Sequence, residues 1–455
     1  MTTAVSTTLR QAPGPRGTPL IGVIPAIRRD TLSFLMATFR TYGDVAHYRI
    51  GPLNSYLISH PDGLRRILQE HVRNYTKDHV SYSILRRVAG NGLVTSQGDF
   101  WLRQRRLAQP AFHRQRIAAL GEMIVARSES VAERWAQAAA AASIVTIGEE
   151  MMGLTLQIVG NALFGTDMHA ELAGVHDNFN LLSKQLVERF RTMNLLPPLL
   201  PTRYDRAWRH ATAALDRVVY SIIAQRRSQG GDHGDLLSML MLTEDADTGE
   251  RMDDTQLRDE ILTMLVAGHE TTATTLTWAW GLLAAHPEIA AKLQAELDTV
   301  LGARAPTMAD LPNLRYTRMV IDEVLRLYPP IYILSRKVIA DDAIGGYRIP
   351  AGSATDFSPY VTHRHPAFWD DPERFDPERF TPERVATRHK FAYIPFSSGP
   401  RMCIGNSFAL TEATLILAHL ARRFAPALPD GKLPAALPLI TLRPAGDMAM
   451  RMALR

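Results

Sequence analysis

Cys403 is the only cysteine in a chain of 455 residues, so no internal disulfide can form and metal sites built from several thiolates are excluded, four-thiolate iron–sulfur clusters among them. Whatever fold the chain takes must be held by a buried apolar core. With 46% hydrophobic and 21% charged residues it has the material for a large one, and disorder is not the default. The 46 acidic residues are mixed among the 51 basic ones, so a net charge of +5 does not point to nucleic acid. At about 150 residues per domain the length alone would suggest three domains, yet no linker or shift of composition divides the chain. The apolar run near the start is short, broken by Pro19 and Pro25 and closed by Arg28 and Arg29. It matches neither a membrane span of about 20 apolar residues nor a signal peptide, and a cytoplasmic protein is expected.

Read along its length, the chain opens with a proline-rich arm, residues 1–30, in which the prolines and glycines of 12–25 predict an extended path. Alternating residues 44–50 and 55–58 flank Gly51-Pro52 and predict a hairpin. From 99 to about 327 the text is mostly helical, with amphipathic stretches at 114–140 and 204–226. Within it, 256–286 reads as a strongly apolar helix interrupted by the polar run HETTATT. Strand-like text returns at 331–358. The near-repeat DPERFDPERFTPERV, 371–385, carries prolines that predict a coiled meander without regular helix. Residues 407–424 are helical again, and short strands end the chain. These patterns predict a mainly α fold with a minor β part, as one large domain over 31–455.

Four local constellations carry chemistry. In FSSGPRMCIG, residues 396–405, Cys403 precedes a helix whose dipole and free N–H groups would favour the thiolate. Gly399 and Gly405 would let the backbone approach a flat ligand, and Arg401 could face an anionic group. Trp101 and Arg105, at i and i+4, emerge on one helix face. Glu323 and Arg326 stand at i and i+3, a pairing worth only about 0.2–0.5 kcal/mol on an exposed helix. In AGHETT, 267–272, Thr271 can bond back to the Ala267 carbonyl and disturb the helix, while Gly268 keeps a groove open. Taken singly, each has an ordinary structural explanation: a small buried cysteine, a packed tryptophan, a surface ion pair, a self-satisfied threonine run.

Together they resemble the cytochromes P-450. The haem-binding loop of that family, Phe-x-x-Gly-x-Arg-x-Cys-x-Gly, is filled at Phe396, Gly399, Arg401, Cys403 and Gly405. The other motifs follow in the family's order from Trp101 to Gly405, and the proline-rich arm fits as well. The resemblance implies a haem-thiolate monooxygenase fold with haem b between the long oxygen-activating helix and the cysteine loop. It implies iron bound by Cys403, whose electron donation favours O–O cleavage. Trp101, Arg105 and Arg336 become haem-propionate contacts, Ala267 borders the haem, and Glu270 with Thr271 supplies the proton route. Glu323 and Arg326 become a buried network completed by an arginine of the near-repeat; Arg374, Arg379 and Arg384 are available, and spacing favours Arg379. His269, His363 and His365 receive no ligand role.

The same resemblance implies dioxygen as co-substrate and two electrons from NAD(P)H through a separate ferredoxin or flavodoxin with its reductase. The chain has no device of its own for electrons: its nearest approach to a nucleotide fingerprint, Gly90-Asn91-Gly92, has Thr95 at the next required glycine. An acidic carrier would dock on the cysteine side using some of Arg103, Arg106, Arg114 and Lys390. The substrate implied is a hydrophobic small molecule of fatty acid, terpenoid or carotenoid type, met by walls near 75–94, 181–200, 331–334 and Gly446. A monomer without a membrane span is expected. Rival readings are a peroxide-using or isomerising relative, a haem-based sensor, and a haem-free ligand-binding protein.

Overall fold

The computed structural model describes residues 9–165, 178, 181–182, 185, 203–245, 247–446 and 448–455. Their helices of ten residues or more are α1 (Thr31–Tyr42), α2 (Val80–Ala89), α3 (Gly98–Ala108), α4 (Gly121–Ala140), α5 (Ile147–Phe164), α6 (Arg203–Gln229), α7 (Asp254–Ala285), α8 (Pro287–Val300), α9 (Arg315–Leu327) and α10 (Asn406–Ala421). The strands are β1 (Val45–Ile50), β2 (Leu53–Ile58), β3 (Tyr75–Thr76), β4 (Ile144–Thr146), β5 (Leu334–Val338), β6 (Asp342–Ile344), β7 (Tyr347–Ile349), β8 (Ala354–Phe357), β9 (Phe424–Ala427), β10 (Ala436–Pro438), β11 (Leu442–Pro444) and β12 (Ala449–Leu454). The chain forms two compact units that interleave in sequence: one of Met1–Tyr82, Ile331–Arg374 and Ala386–Cys403, the other of Ser83–Pro330, Phe375–Val385 and Ile404–Arg455.

The first unit is built on a five-stranded sheet in the order β1-β2-β8-β5-β3. β1 and β2 form the expected hairpin, with Ile50 opposite Leu53 and Gly51 turning at φ +57°, where a two-residue turn needs a left-handed first residue. Strand alternation sorts side chains to the two faces. Ala46, Tyr48 and Leu57 join Leu35 and Phe39 of α1 in one buried cluster; Val45, Tyr56 and Ile58 join Leu64, Ile67 and Phe357 in another. Asp356 of β8 is buried as well, and Tyr48 and Ser55 donate hydroxyls to it at 2.7 and 2.5 Å. Residues Ile24–Arg29 form a short helix, because Pro25 falls in its first turn, where no N–H is needed.

The second unit is helical around α7. Its N-terminus carries a reciprocal cap between Asp253 and Gln256, and from Leu257 to Leu265 and from Thr272 to Leu283 it is buried on every side. Trp135 of α4 meets Trp280 edge-on at 5.0 Å, and Trp278 stacks on Tyr328 at 3.8 Å. The stretch expected as one helix over 114–140 breaks at Leu120 into Arg114–Ala119 and α4. A second difference lies in the near-repeat, which forms a 3-10 turn at Pro377–Phe380 and a short helix at Pro382–Thr387. Pro377 and Pro382 take first-turn positions, so the repeat supports isolated turns while still barring a long helix.

Candidate active site

In the first unit, the cysteine loop is a tight structure of its own. Ser397 and Gly399 both turn at positive φ, +60° and +68°. The Cys403 N–H donates to the Phe396 carbonyl at 3.0 Å, and Met402 N–H to the Gly399 carbonyl at 3.1 Å. The Cys403 thiol is exposed. A Cβ at Gly399 would stand 1.8 Å from the Leu68 carbonyl oxygen, so the chain's own backbone already requires a glycine here. At Gly405, in the second unit, an added Cβ would meet only Phe112 at 3.8 Å, an ordinary contact.

Three cations of the first unit act on one another. Arg336 on β5 is buried, donates to the Tyr82 hydroxyl at 2.6 Å and lies over the Tyr82 and Phe357 rings. Lys77 also stands over the Tyr82 ring, 5.1 Å from its centroid. Burial, then Arg336 and Arg401, hold the Lys77 ammonium well below its usual range. Burial and Arg336 push Arg401 down to about 10. Crowded cations of this kind are raised in energy by one another, and an anion placed among them would relieve each.

In the second unit, α7 runs unbroken through HETTATT. The expected disturbance is milder than a break, because each hydroxyl shares a carbonyl that keeps its helical role: Thr271 Oγ1 donates to Ala267 O at 2.8 Å, Thr275 to Thr271 O at 2.9 Å, Thr277 to Ala273 O at 2.7 Å. Between Leu257 and Leu283 every residue is buried except four: Ala267 is exposed, and Val266, Gly268 and Thr271 are half-exposed. Ala267 and Thr271, at i and i+4, form one open face on a helix otherwise enclosed. A Cβ at Gly268 would press on Val159 of α5 at 3.0 Å, so the glycine also lets the two helices pack closely. His269 is buried with its ring nitrogen 2.6 Å from the Leu265 carbonyl, in keeping with no ligand role.

Glu270 is not open to solvent, as a simple proton route would want. It is buried, and its Oε1 accepts from Thr441 Oγ1 at 2.5 Å and from Arg443 Nε and Nη2 at 2.9 and 2.6 Å. Arg326 donates to Glu323 through Nε at 2.6 Å and Nη2 at 2.8 Å, with both residues fully buried. The Asp376 N–H adds 2.8 Å to Glu323 Oε1, and Arg379 Nε lies 3.4 Å from the same oxygen. Of the arginines in the near-repeat, Arg379 is buried here, whereas Arg384 is exposed and pairs with Asp376 at 3.6 Å.

Trp101 and Arg105 of α3 are half-buried; the indole packs on the helical core and Arg105 Nε donates to Gln109 at 3.0 Å. Their neighbours correct an expectation. Arg103 pairs with Glu250 at 3.1 Å, and Arg106 with Asp245 and Asp247 at 3.1 and 2.5 Å, so α3 offers much less positive charge to an acidic carrier than its sequence suggests. Arg114 and Lys390 are exposed. Of the expected pocket walls, 181–200 lies outside the described residues apart from Leu181, Leu182 and Gln185.

The family model for cytochrome P-450 matches residues 12–448. The chain belongs to the cytochrome P-450 family. A cyclooctatin synthase of Streptomyces melanosporofaciens is 38% identical over 91% of this chain and 90% of its own length. A pentalenene oxygenase of Streptomyces avermitilis is 37% identical over 89% of each. Among solved structures, the haem domain of cytochrome P-450DA superposes with a TM-score of 0.87 at 28% identity, covering 98% of both chains. This cytochrome P-450 is therefore an oxidoreductase, a monooxygenase of hydrophobic small molecules with the mainly α fold of the family. Among the described residues no helix is long and apolar enough to cross a membrane.

The residues present fit a haem. A thiol is exposed on a rigid loop, cations are crowded where carboxylates would relieve them, and one face of a buried helix is bare of large side chains. Lys77, Thr441 and Arg443 belong to these arrangements of the P-450 and were not legible in advance. Lys77 has no motif around it, and the acceptor of Thr441 and Arg443 lies some 170 residues away.

Proposed function

We propose that this cytochrome P-450 oxygenates a terpenoid, with Cys403 binding haem iron, Arg336, Arg401, Trp101, Arg105 and Lys77 holding the propionates, and Ala267, Phe396 and Gly405 lining the haem. The observation that carries the reading is the bare face at Ala267 and Thr271 on an otherwise enclosed helix. Substrate class is supported by relatives named for cyclooctatin, cyclooctat-9-en-7-ol and pentalenene, and by an apolar cluster drawing Ile84, Val88 and Leu93 together with Met264 and Leu265. Electrons come from NAD(P)H through a separate ferredoxin or flavodoxin and its reductase. Residues 31–455 act as one catalytic domain, as a monomer in the cytoplasm.

Bound haem supplies the dioxygen chemistry. The chain supplies protons and position. At rest the Thr271 hydroxyl is spent on its own backbone; turning outward forgoes one hydrogen bond, about 0.5–1.5 kcal/mol, and frees a donor on the open face. Glu270 lies next in sequence with one oxygen taken by Thr441 and Arg443, and the Arg443 side chain is 22% exposed, so a proton can pass from solvent past Arg443 to Glu270. The Glu323, Arg326 and Arg379 network stiffens the segment in front of the cysteine loop.

The test is spectral and then chemical. The reduced, carbon monoxide-bound protein is expected to show the red-shifted Soret band of thiolate ligation, absent in Cys403→Ala. Terpenoids titrated into the ferric protein are expected to shift the haem absorption more than fatty acids or carotenoids do. A histidine-type band would overturn the ligand, and tighter fatty acid binding the substrate class.

A further inference from the structure

Gly90-Asn91-Gly92 falls short of a nucleotide fingerprint, and nothing above gives the motif a use. In the second unit it heads a closed knot between α2 and α3. Thr95, the residue that spoils the fingerprint, donates its hydroxyl to the Gly90 carbonyl at 2.6 Å. The N–H groups of Thr95 and Ser96 both reach the Gly92 carbonyl, at 3.0 and 2.9 Å, and Arg86 Nη2 donates to the Thr95 carbonyl at 2.7 Å. Gly90 turns at φ +60°, where a side chain would be strained.

Two neighbouring acids of α7 seat the knot. Asp259 Oδ2 accepts the Asn91 N–H at 2.6 Å, and Glu260 Oε2 accepts the Leu93 N–H at 3.1 Å. Both residues are buried, and Glu260 Oε1 has no hydrogen-bond partner among the described residues. A buried acid with a single bond is a cost to the fold, and what it returns is the placement of one loop N–H. The seat has no slack. A Cβ at Gly90 would stand 1.9 Å from Asp259 Oδ1, and one at Gly92 would stand 2.2 Å from Thr263 Oγ1 and 2.7 Å from the Asp259 carbonyl oxygen. Arg258 steadies Asp259 in turn: its Nη1 donates to Asp259 Oδ1 at 2.7 Å, while its Nε holds Asp216 of α6 at 2.7 Å. Leu93 of the knot, Trp101 and Leu107 of α3, and Leu257, Ile261 and Met264 of α7 share one apolar cluster.

We propose that Asp259 and Glu260 are positioning residues for haem: by pinning Asn91 and Leu93 they index the start of α3 against α7, and so hold Trp101 and Arg105 in register with the open face at Ala267 and Thr271. The two acids stand eight and seven residues before Ala267, about 10–12 Å along the helix. Only Gln97 separates Ser96 of the knot from Gly98 at the head of α3, and with two soft dihedrals per residue little is left to absorb a shift. The role rests on the reading that Trp101 and Arg105 hold haem propionates.

The experiment follows haem passing from the loaded protein to an excess of haem-free globin, with amide hydrogen exchange measured on the same variants. Glu260→Leu and Asp259→Ala are expected to start with a normal thiolate band and to release haem roughly tenfold faster, the effect of one lost hydrogen bond to a carboxyl. The amides of Asn91 and Leu93, and those of α3 from Trp101 to Arg105, should exchange faster with haem and without it. Glu260→Gln keeps an acceptor in place and should release haem within about twofold of wild type. Glu296→Leu is the control: it takes the acceptor from the Tyr316 and Thr317 N–H groups at the head of α9, and so lowers stability away from the knot. Its haem release and its α3 exchange should match wild type.

Release at the wild-type rate from Glu260→Leu and Asp259→Ala overturns the proposal, as does a glutamine variant as fast as the leucine one, or a control as fast as either. If the leucine variant does not fold, Asp259→Ala and Glu260→Gln decide. A protein carrying both Trp101→Ala and Arg105→Ala that keeps its haem as wild type does overturns the propionate reading instead, and the exchange of the α3 amides still judges whether the two acids hold that helix.

Discussion

Arg443 grips Glu270 by one oxygen only: its Nε and Nη2 both reach Oε1, at 2.9 and 2.6 Å, and Thr441 adds a third donor to that same atom. The acid of the acid–alcohol pair is thus anchored on one side and available on the other. Removing Arg443 strands a buried carboxylate, and Arg443→Met is expected to cost roughly 1–3 kcal/mol in urea unfolding. Glu270→Gln with Arg443→Met should recover much of that loss, because the stranded charge is gone. Strictly additive losses in the four-protein cycle would refute the coupling.

Thr271→Ala is expected to leave haem content and the substrate-induced spectral shift intact while diverting reducing equivalents to hydrogen peroxide. General acid assistance is typically worth about 10²–10⁴-fold, so the fall in product per NAD(P)H should be large. Thr271→Ser retains the donor and should couple nearly as well as wild type. Unchanged coupling in the alanine variant would return Thr271 to its backbone role alone.

The buried network predicts an unequal response among arginines that look alike in sequence. Arg326→Met leaves the Glu323 carboxyl buried without its main partner and should destabilise by about 3–5 kcal/mol. Arg379→Met should cost less, since its nitrogen stands 3.4 Å from Glu323. Exposed Arg374 and Arg384 should tolerate methionine within about 0.5 kcal/mol. Thermal unfolding and haem retention measured on all four variants would expose an error in the ranking.

Lys77→Met should move two quantities in opposite directions. Without haem the variant is expected to be the more stable, because a cation is withdrawn from beside Arg336 and Arg401. With haem it should release the group roughly tenfold faster, the worth of one charged hydrogen bond. A variant weakened in both forms would mean that Lys77 serves only the fold.

Glu260 predicts a pH dependence of its own. Burial raises it to about 8, although the Leu93 N–H donates to it at 3.1 Å. An acid raised in the fold stabilises fully below the unfolded value of 4.5 and progressively less as pH climbs to about 8. Glu260→Gln should therefore flatten the urea midpoint across that window; a variant as steep as wild type would place the titration elsewhere.

What could be read in advance was whatever the chemistry requires at short range. The spacing of Phe396 and Cys403, of Ala267 and Thr271, and of Glu323 and Arg326 is set by one loop or one helix turn, and each pair meets as its spacing implies. The hairpin at Gly51 and the apolar stretch of α7 were legible for the same reason: period and turn chemistry are local. Tertiary structure decided the remainder. Gly399 is required by Leu68 and Gly268 by Val159, neither of which is near in sequence. Arg103 and Arg106 look like free surface charge until Glu250, Asp245 and Asp247 come alongside. Glu260, Glu270 and Lys77 could be seen as charges, but not what each faces, because a charged group's state depends on burial and on partners brought from far along the chain. Those are properties of the packed molecule and have no period for a sequence to display.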